Sequence, residues 1–246
     1  FRGTVVNNII NLENFECENV YLGFYTSEIA IVNLLDSKLP NFTLSFQSTP
    51  NLLYNMMFAT LGDGSIQSET NEINPFQHIF IRDVSFDGFD FTSYHDELED
   101  LGWKIHTYPN EFSGIIGQES EIDTEHFEST YLKAKLGAKK VGDNKAVSEF
   151  FLRELRYRRQ RDWEQGEYSD ALFNLIYDAI AGYGERTSRV VISSLTSVVI
   201  FAEVYGLLIA LTGSDLDHIL LSYTTSLQAF VSLIFGGGSE LESPII

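Results

Sequence analysis

The longest apolar run of the chain is Val190–Leu211 (VVISSLTSVVIFAEVYGLLIAL). Its 22 residues include one side chain that is charged at neutral pH, Glu203. As a helix with a rise of about 1.5 Å per residue, the run is roughly 33 Å long, which is enough to cross the hydrocarbon core of a bilayer. A buried helix in a large soluble domain is the alternative, but a helix that is apolar on all sides is unusual in a domain of this size. We therefore predict a transmembrane helix.

A second, shorter apolar segment follows over Ile219–Phe235. It carries several hydroxyl and amide side chains, so it suits a half-buried re-entrant helix better than a lipid-exposed span. Three glycines come next, and backbone without side chains can line a narrow passage. This layout predicts a tetrameric pore; a slightly short second span with a flexible loop is the alternative. The pore or filter candidates are Thr224, Thr225, Gly236, Gly237, Gly238 and Glu240.

Glu203 is the one carboxylate inside the predicted span. A charge in that position is costly and usually faces a bundle interior or water. We therefore treat Glu203 as a candidate gate or ion-site residue. The alternative is a structural role, as a snorkelling or neutral, hydrogen-bonded side chain.

Helical patterns occupy the middle of the chain. Asp123-Thr124-Glu125 supplies capping chemistry for a first helix, and a second helix is predicted over about residues 144–164. A third, over about 169–181, is amphipathic and runs into Gly182-Tyr183-Gly184. Because it comes just before the predicted span, we predict that it lies along the membrane interface.

The N-terminal part of the chain predicts short strands. Apolar residues recur there at every fifth position. This period fits a coil of short strands that turns a corner at each repeat, and a plain β-sheet is the alternative. Residues 61–75 are mostly polar and are predicted to be a linker. The apolar residues that recur every five positions are Val5, Ile10, Phe15, Val20, Tyr25, Ala30 and Leu35.

The charge of the chain is distributed unevenly. The net charge is −19, and residues 1–132 carry 4 Lys/Arg against 21 Asp/Glu, while residues 133–189 carry 12 against 9. Because the basic cluster ends where the apolar run begins, the positive-inside rule predicts a cytoplasmic location for the N-terminal domain and a cell-membrane location for the protein. The acidic excess disfavours binding to nucleic acid. It is also typical of proteins from salt-rich cytoplasms.

Motifs of enzymes are absent from the sequence. It contains no GxxxxGK, no G-x-S-x-G and no HExxH, and the five histidines lack the spacing of metal ligands. Cys17 is the only cysteine, so the chain has neither an internal disulfide nor a thiolate metal site. We therefore expect no catalytic residues, no bound metal and no cofactor.

The run Tyr131–Arg159 (YLKAKLGAKKVGDNKAVSEFFLRELRYRR), followed by GYGERTSRVVISS at 182–194, resembles pentapeptide-repeat proteins of extreme halophiles. Those proteins carry a C-terminal two-transmembrane, potassium-channel-like module, and the resemblance covers about residues 80–235. It implies a re-entrant helix that leads into a filter with a T-x-G-Y-G-like sequence. The corresponding segment here, Phe230–Gly238, has no GYG, so the resemblance does not imply potassium selectivity.

Together these patterns predict an α+β protein with three parts. Residues 1–122 form an acidic, β-rich cytoplasmic domain with a pentapeptide or β-solenoid-like body. Residues 123–187 form a helical hairpin and an interfacial helix. Residues 188–246 form a membrane domain, from which the last span is missing. The predicted function is an ion-channel-like protein that conducts monovalent cations across a lipid bilayer as a homotetramer. The alternative is a membrane-tethered interaction module without transport activity.

Overall fold

The computed structural model describes residues 9–23, 30–46, 52–68, 74–105, 124–185, 187–211, 224–228 and 232. The chain forms two compact units, Phe1–Leu175 and Ile176–Ile246. The predicted domain boundaries after residues 122 and 187 stay a prediction.

Two parallel β-sheets form the first part of the first unit. The chain alternates between them, so each sheet receives every second strand. One sheet contains β1 (Ile9–Asn11), β3 (Ala30–Asn33), β5 (Leu52–Asn55) and β7 (Ile79–Phe80). The other contains β2 (Val20–Gly23), β4 (Lys38–Phe46), β6 (Thr60–Ser68) and β8 (Ser85–Phe86).

A regular repeat builds both sheets. Asn11, Asn33 and Asn55 lie opposite one another in successive strands of the first sheet, and each is 22 residues from the next. In the other sheet Phe42 lies between Val20 and Gly64, at the same spacing. The last repeat is longer than 22 residues, since Tyr54 pairs with Ile79 and Thr60 pairs with Ser85. Each strand therefore stacks on its equivalent from the preceding repeat.

Equivalent residues of successive repeats have the same structural role. The side chains of Asn11, Asn33 and Asn55 form a ladder, with amide-to-carbonyl distances of 3.0 and 2.9 Å. Each repeat also turns a corner through one residue with positive φ, between 53° and 59°. These corner residues are Asn14, Asp36, Phe58 and Asp83.

The predicted fold class is wrong. The chain is an α/β protein with two parallel sheets instead of a pentapeptide or β-solenoid-like body, because paired residues such as Asn33 and Asn55 are 22 residues apart and the longest strands have nine residues. The predicted linker at 61–75 is also wrong for residues 61–68, which belong to β6. Its glycines looked like loop residues, but a Cβ on Gly62 would collide with the Pro40 backbone and one on Gly64 with the Phe42 ring.

The core of this unit is largely aromatic. Phe42 stacks on Phe89 at 5.9 Å, and Phe89 meets the edge of Phe91 at 4.9 Å. Phe91 in turn packs edge-on against Phe150 of the helical segment at 4.9 Å. The sheets and the helices after them therefore share one hydrophobic cluster.

Besides a helical segment at 224–228, the described residues contain the α-helices that complete the fold. They are α1 (His95–Asp100), α2 (Thr124–Val141), α3 (Asn144–Glu164), α4 (Tyr168–Ala181) and α5 (Thr187–Leu211). The chain turns from α2 into α3 at Gly142, whose φ is +84°. Asp143 then caps α3 by accepting a hydrogen bond from the Ala146 amide at 3.0 Å. The helix predicted at 144–164 is confirmed by α3.

Candidate functional site

The apolar surface of α5 is the most unusual surface among the described residues. The segment Thr187–Val204 has a mean hydropathy of 1.4 and is long and apolar enough to cross a membrane, yet only 6% of it is buried. Phe201, near the centre of the predicted span, is 70% exposed. The core helix of a soluble protein would be mostly buried, and α5 is not. Its exposed large apolar side chains are Val190, Val191, Ile192, Leu195, Val199, Ile200, Phe201, Val204, Leu207 and Leu211.

Hydroxyl groups on α5 are bonded to the backbone of the same helix. Thr196 donates to the Ile192 carbonyl at 2.8 Å, and Ser197 donates to the Ser193 carbonyl at 2.8 Å. In a bilayer every polar group has to find a partner within the protein, because no water is present to supply one. Exposed Ser and Thr side chains that bond to the preceding turn meet that requirement.

Most of helix α4 is exposed, including its large apolar side chains. Phe173 is 73% exposed, whereas Asp178 is buried. Asn174 donates to the Leu155 carbonyl of α3 at 3.1 Å. An amphipathic helix on a water-soluble protein normally buries its large apolar side chains. The other exposed apolar residues of α4 are Tyr168, Leu172, Leu175, Ile176, Tyr177 and Ile180.

Within the second unit, polar contacts join the end of α4 to the start of α5. Arg189 donates to the Asp178 carboxylate at 3.2 Å and to the Asp178 carbonyl at 3.1 Å. Ser193 donates to the Ile180 carbonyl at 2.7 Å. Between the helices Tyr183 has a φ of 56° and its buried ring packs edge-on against Tyr177 at 5.6 Å. The GYG tripeptide at 182–184 is thus a tight turn.

The predicted site residues fall into two groups. Glu203 lies on the exposed side of α5, and Thr224 and Thr225 are exposed residues of a helical segment at 224–228. Gly236, Gly237, Gly238 and Glu240 lie outside the described residues. The grouping of these residues around a pore requires several copies of the chain, and it stays a prediction.

A cluster around Asp83 was missed by the sequence analysis, because its members are distant in sequence: His126 is 43 residues from Asp83, and Ser129 is 46. The Asp83 carboxylate accepts hydrogen bonds from Ser129 and from His126, the latter at 2.8 Å, and pairs with Lys133 at 3.2 Å. Its amide donates to the Thr130 hydroxyl at 2.9 Å. Burial raises the pKa of Asp83, but the hydrogen bonds from Ser129 and His126 and the charge of Lys133 outweigh it, so the pKa lies below its usual value.

This cluster contains a serine, a histidine and an aspartate, but it lacks the geometry of a catalytic triad. In a triad the serine bonds to the histidine, which the aspartate orients. Here Ser129 and His126 both bond to Asp83. We therefore interpret the cluster as the contact that holds α2 on the corner before β8. Nor do the described residues contain a group of three or more His, Cys, Asp or Glu side chains placed to hold a metal ion.

No protein-family model, curated protein or solved structure matches this chain. The resemblance to pentapeptide-repeat proteins of halophiles therefore stays a prediction.

Proposed function

We propose that this chain is a membrane-anchored protein in which α5 spans the bilayer, α4 lies in the interface, and the parallel-sheet unit is an interaction module in water. The observation that carries the proposal is the exposure of the large apolar side chains of α5. Hydrogen bonds from the Thr196 and Ser197 hydroxyls to the helix backbone also support it.

The size of the exposed surface favours lipid over water as its surroundings. Ten large apolar side chains on α5 are exposed. If moving each into hydrocarbon gains about 1 kcal/mol, roughly half the value for full burial, the helix gains about 10 kcal/mol. Contiguous apolar patches on soluble monomers rarely exceed a few hundred Å². The C-terminal end of α4 adds Ile176, Tyr177 and Ile180 to the exposed apolar surface of the second unit.

Arginine substitutions at the centre of α5 test the proposal. An arginine at the centre of a span costs about 2.5–3.5 kcal/mol, so Ile200→Arg together with Phe201→Arg removes most of the gain. We expect the unchanged chain to stay in the membrane pellet at alkaline pH and to be released only by detergent, and the double variant to lose this behaviour.

The matched control is Leu132→Arg together with Leu136→Arg. These leucines are also exposed, but they lie on α2 in the first unit. We expect this variant to stay in the membrane pellet. Recovery of the unchanged chain in the detergent-free soluble fraction, as a monodisperse species, would contradict the proposal.

Ion conduction by a homotetramer is the more specific form of this hypothesis. Glu203 is an exposed residue on the α5 surface, and a carboxylate in a span favours an arrangement in which it faces protein or water. Conduction of monovalent cations past the glycines at 236–238 stays a prediction.

A further inference from the structure

A cavity of about 570 Å³ lies in the first unit, beside α3. Four cationic side chains line it: Lys104, Arg153, Arg156 and Arg159. One carboxylate, Glu164, also lines it, and that side chain already accepts hydrogen bonds from Thr124 at 2.7 Å and Gln160 at 3.0 Å. In a chain with a net charge of −19, this wall is a local region of positive charge.

The arginines of α3 divide into two sets with different surroundings. Arg158 bonds to Glu128 at 2.8 Å and to Glu154 at 2.9 Å, and Arg161 bonds to Glu128 and Asp162. This set is neutralised by carboxylates of α2 and α3. The other set, Arg153, Arg156 and Arg159, is spaced about one helical turn apart and lines the cavity; within it, Arg153 pairs with Glu149 at 2.8 Å. The second set thus places three guanidinium groups along one wall of the cavity, in addition to the contacts that each already makes.

Arg153 is held in place by hydrogen bonds from both of its Nη atoms. Its Nη1 donates to the carbonyl and carboxylate of Glu149 at 2.7 and 2.8 Å, and its Nη2 donates to the Gly102 carbonyl. Its Nε is buried and has no hydrogen-bond partner among the described residues. A buried donor without a partner is costly. The guanidinium group of Arg153 is nevertheless fixed in position beside the cavity.

Aromatic rings form another part of the cavity wall. Tyr157 and Trp163 line the cavity. The Tyr157 ring is fixed by parallel stacking on Tyr131 at 5.4 Å, and Trp163 meets the edge of Tyr168 at 5.4 Å. Trp163 is nevertheless 56% exposed, so part of its surface is open to a ligand. Flat rings and guanidinium groups both stack on planar ligands.

We propose that this cavity binds an organic phosphate that carries a planar ring. Its phosphate lies against Arg153, Arg156 and Arg159, which suits the planar, multidentate donors of guanidinium groups. Its ring lies along Tyr157 and Trp163. The volume falls within the range of about 300–1,000 Å³ that is usual for small-molecule sites. This site is independent of the membrane proposal.

Tryptophan fluorescence provides the test. The chain contains two tryptophans, and Trp103 is only 3% exposed, so a ligand in the cavity acts mainly on Trp163. The full chain in a mild non-ionic detergent is titrated with ADP, and separately with adenosine and with inorganic phosphate. We expect saturable quenching by ADP, weaker binding of either half alone, and weaker ADP binding at higher salt because charges are screened.

Charge-matched variants identify the site. We expect Arg156→Gln with Arg159→Gln to weaken ADP binding by at least about tenfold, because charge-assisted hydrogen bonds are lost. Lys139→Gln with Lys140→Gln removes the same charge from exposed positions of α2 and should change binding less than about twofold. Circular dichroism confirms that each variant is folded.

Three results would overturn this proposal. The first is the absence of saturable quenching by ADP, and the second is equal weakening by the two variant pairs. The third is binding of a short-chain phosphatidic acid without binding of ADP. That result would assign the arginines to a lipid phosphate and leave the aromatic wall without the proposed role.

Discussion

Asp83 stands at the last corner of the parallel sheets, in a backbone conformation that few non-glycine residues adopt, with a φ of 53°. Its side chain is 8% exposed and receives hydrogen bonds from Ser129 and His126 of α2. Lys133 also donates to its carbonyl at 2.9 Å. One residue thus joins the helical segment to the sheets.

Asp83→Asn should destabilise the first unit. The asparagine keeps the shape but removes the charge that Lys133 and the other donors stabilise, at a cost of about 1–3 kcal/mol in the free energy of unfolding. The measurement is the urea midpoint, followed by the fluorescence of the buried Trp103. Asp87→Asn is the control, since the Asp87 pair with Lys140 is exposed and such pairs contribute about 0–1 kcal/mol. Equal effects of the two substitutions would contradict the assigned role of Asp83.

The same carboxylate predicts a dependence of stability on pH. The pKa of Asp83 is lower in the folded chain than its usual value, so the folded state favours the ionised form. The stabilisation is therefore complete above about pH 4, the usual carboxyl pKa, and is lost as the pH falls through the lower folded value. Asp83→Asn should remove this part of the acid sensitivity, which the urea midpoints of both chains at pH 3 and pH 7 will measure.

At the scale of elements, α3 was predictable and the pairing of the strands was not. The apolar spacing of Ala146 and Phe150 indicates α3 in the sequence, because helical periodicity is local. Strand pairing is not local, since paired residues such as Asn33 and Asn55 are 22 residues apart. The signal in the sequence was the recurrence of asparagine at that spacing, beginning at Asn11, which a comparison of the chain with itself would have found.

Helix α4 should lie at the level of the lipid headgroups. In a Cys17→Ser background, a fluorophore is attached to Phe173→Cys, and quenching is measured with spin labels at shallow and deep positions of the lipid. We expect the shallow label to quench more, because an interfacial helix buries its apolar side only about 5–10 Å.

Two further cysteine variants serve as references for the quenching measured at residue 173 of α4. Ile200→Cys, in the middle of α5, should be quenched more by the deep label. Leu136→Cys, on α2, should be quenched by neither. If residue 173 behaves like residue 136, α4 does not contact lipid.

At the scale of the whole molecule, the charge distribution predicts the orientation in the membrane. Residues 133–189 carry the basic excess and end at the start of α5, so the first unit should be on the cytoplasmic side. Cys17, the only cysteine, reports this directly. A membrane-impermeant maleimide should label it in lysed cells but not in intact cells.

The control for orientation is a cysteine beyond α5. Ser214→Cys in the Cys17→Ser background should be labelled in intact cells, if α5 crosses the membrane once. Labelling of Cys17 in intact cells would reverse the predicted orientation. Labelling of both positions only after lysis would contradict a crossing by α5.

The candidate sites were predictable only where a single segment carries them. The apolar length of α5 was evident from the sequence, because one uninterrupted run decides it. The cavity was not, since its wall joins Gly102 to Arg153, which is 51 residues away. The sequence also does not distinguish the arginines of α3 that line the cavity from those that pair with Glu128. Only the packing of α3 separates the two sets.

Both sheets are built from the same 22-residue repeat, and this repeat limits how the protein can change in length. Removal or duplication of one complete repeat leaves every remaining strand in register, whereas loss of a single residue within a strand turns its inward side chains outward. The final, longer step includes the short 3-10 helix Pro75–His78, so extra residues are tolerated between strands. Evolution of this body should therefore proceed by gain or loss of whole modules and by variation at the corners.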